Sequence, residues 1–268
     1  MNNHAIGVFD SGVGGITVVK EMMRQLPHET IYYFGDTIRC PYGPRTTEEV
    51  KQFTLEVIRF LLQFPLKAIV IACNTATAAA LNDVRELVSI PVLGVIEPGA
   101  RAAIKGTING EVGIIGTIGT MKSGAYERAL KRIHPEIITH SLACPSLVPL
   151  VEGGLRHSPY ADEVVEEALQ PLKGLDMDTL ILGCTHYPLL ASSIQKAMGD
   201  QVKLISSAEE TASELSTILQ YRSMLATRHQ AHRFFTTGDT EQFANLAGDW
   251  LDLDIEAEPV SLSYANKS

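Results

Sequence analysis

The stretch that most constrains the fold is LKAIVIAC, residues 66–73. Apart from Lys67 it is a continuous apolar run of strand length. Such a run suits a central strand of a parallel sheet, covered by helices on both faces. DTLILGC, at 178–184, has the same character. Further strand-length runs stand at 5–10, 30–36 and 90–96, with helical stretches at 16–26, 46–63 and 75–88 between them. This alternation predicts an α/β fold with a parallel sheet. The pattern then restarts. Strands are expected at 111–117, 136–143, 178–184 and 201–207, with helices at 123–133, 160–172 and 187–198. Gly7 and Gly113 open matching strands, and Cys73 and Cys184 close matching strands at nearly constant spacing. The halves therefore read as diverged copies of one unit. The tail from 208 adds a helix, a strand at 232–239 and a further helix. Pattern alone also allows a single cut near 98, with the tail in the second domain.

Composition narrows the function classes. Hydrophobic residues make up 45% of the chain and the formal net charge is −9. No window is dense in Lys or Arg, which argues against nucleic-acid and anionic-membrane partners. A small acidic ligand stays compatible, because a local site can oppose the net charge. No apolar run reaches the roughly 18 residues of a membrane helix. MNNHAIGVFD shows neither a basic leader nor a long apolar segment, so a cytoplasmic protein without signal peptide is expected. The four cysteines, Cys40, Cys73, Cys144 and Cys184, are then expected as free thiols.

In open parallel sheets, ligands bind outside the carboxyl ends of the strands. Asp10, Cys73, Thr117 and Cys184 all fall at such ends. If the two halves face each other across a pseudo-twofold axis, both cysteines enter one cleft from opposite sides. Two thiols flanking a carbon can take a proton from one face and return one to the other. The base must be close, partly desolvated and in line. A thiolate suits this, and a following helix N-terminus is expected to favour it at each cysteine. The alternative is that each cysteine is a small buried apolar residue. Asn74-Thr75 and Thr185-His186 supply donors at matching places. His186 reads as a general acid or base, a cation beside the thiolate, or a metal ligand; without paired spacing, no metal site is expected. Asp10 either caps the turn at 11–15 or orients a substrate ammonium or the nearby thiol. Glu152 reads as a solvated helix end. FDSGVGGITV matches GxGxxG only in part, because Thr17 stands at the last glycine position. Gly14-Gly15 instead fit a tight turn, with Ser11 offering its hydroxyl to a small ligand. Tyr42 and Gly43 either cover a cleft or form a turn. Cys40 and Cys144 follow no strand-to-helix pattern and read as bystanders.

Six motifs in order, FDSGVGG, GDTIRCPYGPR, ACNTATAAAL, GVIEPGARAA, PSLVPLVEGG and LGCTHYPLL, together resemble the glutamate racemases. The likeness covers the chain to about residue 210. It implies cofactor-independent interconversion of L- and D-glutamate, supplying D-glutamate for peptidoglycan, by a homodimer. It implies two similar parallel-sheet domains, 1–97 plus 208–268 and 98–207, with the active site in the cleft between them. The family's bases correspond to Cys73, acting on D-glutamate, and Cys184, acting on L-glutamate. Its auxiliary groups correspond to Asp10, Glu152 and His186. Its substrate contacts correspond to Asp10, Ser11, Tyr42, Gly43, Asn74, Thr75, Thr117, Thr185 and His186. Two other classes fit parts of the pattern: a two-lobed ligand sensor, which needs no reactive thiols, and a thiol-redox protein, which would pair Cys73 with Cys184.

Overall fold

The computed structural model describes residues 2–228 and 230–262. The first sheet is built from β1 (Ala5–Asp10), β2 (Ile31–Gly35), β3 (Leu66–Ile71) and β4 (Val92–Gly94). The second is built from β5 (Glu111–Gly116), β6 (Ile138–Ala143), β7 (Thr179–Gly183) and β8 (Lys203–Ser206). The tail contributes β9 (Arg233–Thr236) and β10 (Ala257–Pro259). All pairings are parallel. The orders are β10-β9-β2-β1-β3-β4 and β6-β5-β7-β8. Without the tail strands the two sheets share one order, so Cys73 after β3 and Cys184 after β7 occupy equivalent places. We call the unit around each sheet a lobe.

The helices are α1 (Ile16–Gln25), α2 (Thr47–Leu61), α3 (Asn74–Leu87), α4 (Ile96–Gly106), α5 (Ile118–Ser123), α6 (Ala125–Ile133), α7 (Leu147–Glu152), α8 (Pro159–Leu169), α9 (Ala191–Met198), α10 (Ser207–Tyr221) and α11 (Thr240–Leu251). Thr46 begins α2 with a full capping box: its hydroxyl takes the Glu49 N–H, and Glu49 reaches back to the Thr46 N–H, satisfying donors that a helix start leaves open. Residues 123–133 do not form one helix. Gly124, at φ 61°, ends α5 and starts α6, a left-handed position that a glycine takes without strain. The α4 helix and the short strand β10 have no counterpart among the sequence expectations. Ahead of α9, residues 187–190 of the expected helix form only a 3-10 turn.

Three cores hold this arrangement. One runs from Ile6, Val8 and Val70 in the first sheet, through Leu215 and Leu219 of α10, to Ile115, Leu180 and Leu182 in the second. The outer face of the first sheet packs Phe9, Ile69 and Ile71 under Val57, Ile58 and Val84. The outer face of the second packs Val112, Ile114 and Ile181 under Ala100, Ala103 and Leu130. The β3 run owes its one charge to a buried pair. Lys67 meets Glu29, and its ammonium also donates to the carbonyls of Asn2 at 2.6 Å and Met224 at 2.8 Å. A buried ammonium is tolerated when paired and hydrogen-bonded in this way. The chain passes between lobes twice, at β4–α4 and at β8–α10.

Candidate active site

A small cavity opens where the carboxyl ends of the two sheets face each other. Cys73, Cys184, Ser11, Tyr42, Gly43, Asn74, Thr75, Thr117, Thr185 and His186 all line it. It encloses about 20 Å³, room for about one water molecule. A larger ligand needs more room than this closed arrangement gives.

Cys73 ends the loop after β3 and caps α3. Its sulfur accepts the Ala76 N–H at 3.5 Å and donates to Ser11 Oγ at 3.6 Å. Burial, with the negative charge of Asp10 adding to it, pushes this thiol up to about 12. The expected thiolate preference at a helix start does not prevail here, because desolvation and a nearby carboxylate outweigh two weak contacts.

Cys184 has different company. No α-helix follows it directly; the 3-10 turn at 187–190 does, with Pro188 inside it. Its sulfur lies 3.8 Å from His186 Nδ1, and His186 Nε2 lies 3.1 Å from Glu152 Oε1. Burial disfavours charge on His186, but its contacts with Cys184 and Glu152 prevail and hold it up at about 10. Burial would also raise Glu152, yet its hydrogen bond to His186 holds it below the usual carboxylate value. The imidazole is thus an imidazolium clamped between sulfur and carboxylate. Trp250 of α11, the chain's one tryptophan, stands edge-on to this ring at 6.4 Å between centroids.

Glu152 is not a solvated helix end, and Cys40 is not a bystander. The Cys40 thiol donates to Glu152 Oε1 at 3.2 Å and also lines the cavity. Cys40 and Glu152 also line an outer groove of about 200 Å³ beneath Phe243 and Leu246 of α11. Cys144 does stand apart, buried and outside the cavity lining. All four thiols are free.

Asp10, at the end of β1, is fully buried. One oxygen accepts the Gly12 N–H at 2.9 Å, and the other accepts the Thr185 hydroxyl at 3.2 Å. Both expected roles are compatible with this position, since the carboxylate ties the turn and also sits beside Cys73. Burial raises it, and the His186 charge pulls it back in part. At Gly14 a side chain would collide with Thr185 and with the His186 ring, 2.7 Å away. Close approach of the lobes needs a glycine there.

The other end of the cavity is a cluster of hydroxyls. Thr75 and Thr117 meet at 2.8 Å, and Thr120 lies 3.2 Å from Thr75 and 3.0 Å from Thr117. The Gly119 N–H donates to the Gly43 carbonyl at 2.8 Å. These contacts join the first lobe to the second. The Tyr42 hydroxyl is engaged away from the cavity, donating to Asp36 Oδ2 at 2.5 Å. Asp36 also accepts from Arg39 at 2.5 Å and Thr237 at 2.9 Å. Sequence reading missed Asp36, which holds Tyr42, and Thr120, which touches both Thr75 and Thr117. Among the described residues, no group of three or more His, Cys, Asp or Glu side chains is arranged to hold a metal ion.

Comparison with known proteins agrees with this geometry. A family model described as Asp/Glu/Hydantoin racemase matches residues 6–215. A glutamate racemase of Listeria innocua is 56% identical over 261 residues, covering 96% of this chain and 98% of that protein. A crystal structure of a glutamate racemase from Bacillus anthracis superposes with a TM-score of 0.95 at 55% identity, covering 98% of this chain and 99% of that one. Another, from Francisella tularensis in complex with D-glutamate, gives a TM-score of 0.92 at 36% identity, covering 98% and 99%. With matches of this extent, the chain belongs to the Asp/Glu/hydantoin racemase family.

Proposed function

We propose that the protein interconverts L- and D-glutamate by passing protons between Cys73, Cys184 and the two faces of the substrate α-carbon. The observation that carries this reading is that both sulfurs line one solvent-poor cavity, each from the end of an equivalent strand. The near-complete likeness to glutamate racemases supports the choice of substrate.

The resting geometry suggests which sulfur acts first. Cys73, pushed up by burial and by Asp10, is a thiol and can give a proton. Cys184 sits beside a protonated His186, whose charge can offset a sulfur anion. Cys184 then takes the α-proton of L-glutamate while Cys73 donates to the opposite face. D-glutamate reverses the roles, with Asp10 placed beside Cys73 to support the return. Removing an α-proton builds negative charge next to a carboxylate, so the site must supply donors there. Asn74, Thr75 and Thr185 are at hand for that. Ser11 and Asp10 face the substrate ammonium, and the backbone of Tyr42 and Gly43, with Thr117, receives the distal carboxylate. No cofactor enters this scheme. We further place the enzyme in the cytoplasm as a homodimer, its D-glutamate feeding peptidoglycan synthesis.

The test is a chiral assay of each acidic amino acid without pyridoxal phosphate or added metal, run alongside α-proton exchange in D₂O. Both glutamate enantiomers should reach a 1:1 mixture, with solvent deuterium at the α-carbon. Tight glutamate binding without exchange would make the protein a sensor and end the proposal.

A further inference from the structure

Asn74 belongs to the first lobe, but the group that orients it comes from the second. Tyr126 of α6 is fully buried, and its hydroxyl donates to Asn74 Oδ1 at 2.7 Å. Ser207, the first residue of α10, hydrogen-bonds the same phenol. With Ser207 donating to the phenol oxygen, the phenol hydrogen is left for Asn74. Burial holds the phenol above its ordinary range, so it remains an O–H donor. An amide whose oxygen is taken must turn its NH₂ elsewhere. Asn74 Nδ2 has no hydrogen-bond partner among the described residues, and Asn74 lines the cavity. An NH₂ directed there presents donors suited to a carboxylate.

The packing leaves the phenol little choice of place. A Cβ at Gly99 would lie 3.2 Å from the Tyr126 oxygen and 3.1 Å from Ser207 Cβ, and one at Gly183 would lie 3.1 Å from Tyr126 Cε2. Gly99 stands on α4, just past the first passage of the chain between lobes. Ser207 stands at the second. The phenol therefore sits where both passages meet, and it touches the cavity through one residue.

We infer that Tyr126 is a positioning residue that fixes the Asn74 side-chain amide as a donor toward a substrate carboxylate. The inference rests on the reading that Asn74 contacts substrate. Without the phenol hydrogen, the amide is free to rotate and present its oxygen to that carboxylate, which repels it.

A double-mutant cycle on the full-length enzyme tests this. Because enantiomers have equal free energy, kcat/KM must be equal in the two directions, so a binding defect shows in both. Tyr126→Phe should raise KM for L- and D-glutamate about tenfold, the worth of one well-placed hydrogen bond, with kcat changed less than about twofold. Asn74→Ala should raise KM at least as much. The double variant should match Asn74→Ala alone, because the phenol has nothing left to orient. Defects that multiply would make Tyr126 merely structural and overturn the inference while leaving Asn74 as a substrate contact. An Asn74→Ala enzyme with unchanged KM would remove the substrate contact itself, and the inference with it. If Tyr126→Phe does not fold, Ser207→Ala keeps the ring in place. It should raise KM about two- to threefold in an Asn74 background and not in Asn74→Ala; an equal rise in both backgrounds overturns the inference.

Discussion

Cys73 and Cys184 hold the same place in two copies of one strand order, yet their surroundings differ. Cys73 caps a helix beside a buried carboxylate, and burial keeps it a thiol. Cys184 lies against an imidazolium held by Glu152 and, through it, by Cys40. The shared strand order supplies the symmetry of position. Local loops then supply one sulfur with an acid-like setting and the other with a cation. Under the proposed two-sulfur mechanism, the difference teaches that mirror-related chemistry does not need mirror-related environments. It needs two proton carriers, each matched to its partner's opposite state.

The strongest way to break the comparison is to remove one sulfur. Cys73→Ala and Cys184→Ala should each lower kcat about 10³-fold, the middle of the range for a lost general acid or base. Each enzyme should retain slow α-deuterium wash-in for one enantiomer only: L-glutamate when Cys184 remains, D-glutamate when Cys73 remains. Proton magnetic resonance of each enantiomer in D₂O reads this directly, and equal wash-in for both would mean the sulfurs are not face-specific.

A smaller effect separates the supporting groups. His186→Asn should lower kcat/KM about 10²-fold, equally in both directions as equilibrium demands. The α-deuterium isotope effect should nevertheless grow mainly for L-glutamate. Asp10→Asn should show the converse, growing mainly for D-glutamate. The same shift for both enantiomers in both variants would erase the distinction between the two sulfur environments.

The pH response sharpens it further. His186 should titrate near 10, and Trp250 emission should report it through the edge contact, a signal absent in His186→Asn. The sign for stability follows from the shifts. The raised His186 value contributes stability that is whole below its unfolded value of about 6.5 and is lost as pH rises through about 10. The lowered Glu152 value contributes stability present above its unfolded value of about 4.3 and lost as pH falls through its folded value. Glu152→Gln should therefore lower Tm most between about pH 5 and 7, by about 2–4 °C for each kcal/mol lost, and least above pH 10. The smallest effect belongs to the hydroxyl cluster. Thr117→Val should raise KM about threefold with the isotope effects unchanged.

Much of this was legible in the chain itself, for physical reasons. Buried parallel strands advertise themselves as apolar runs, so β1, β3, β5 and β7, and the residues at their ends, could be read directly. Period and caps are local signals. The α4 helix escaped because Pro98 and Gly99 in its first turn imitate a loop. The helix expected after Cys184 opens as a 3-10 turn over 187–190 and becomes α-helical only from Ala191. Cys40 was misread because its meaning lies in Glu152, 112 residues away. Tyr126 likewise meets Asn74, 52 residues away, only through the fold. Contacts across lobes leave no trace in periodicity or spacing.

The cavity of about 20 Å³ has a further consequence. A substrate larger than this chamber can enter only if its walls move, which adds a mechanical step to the chemical one. Friction from the surrounding medium then enters the rate, so adding glycerol should slow the fastest catalysts of this kind, and crystals grown shut should crack when soaked in the amino acid.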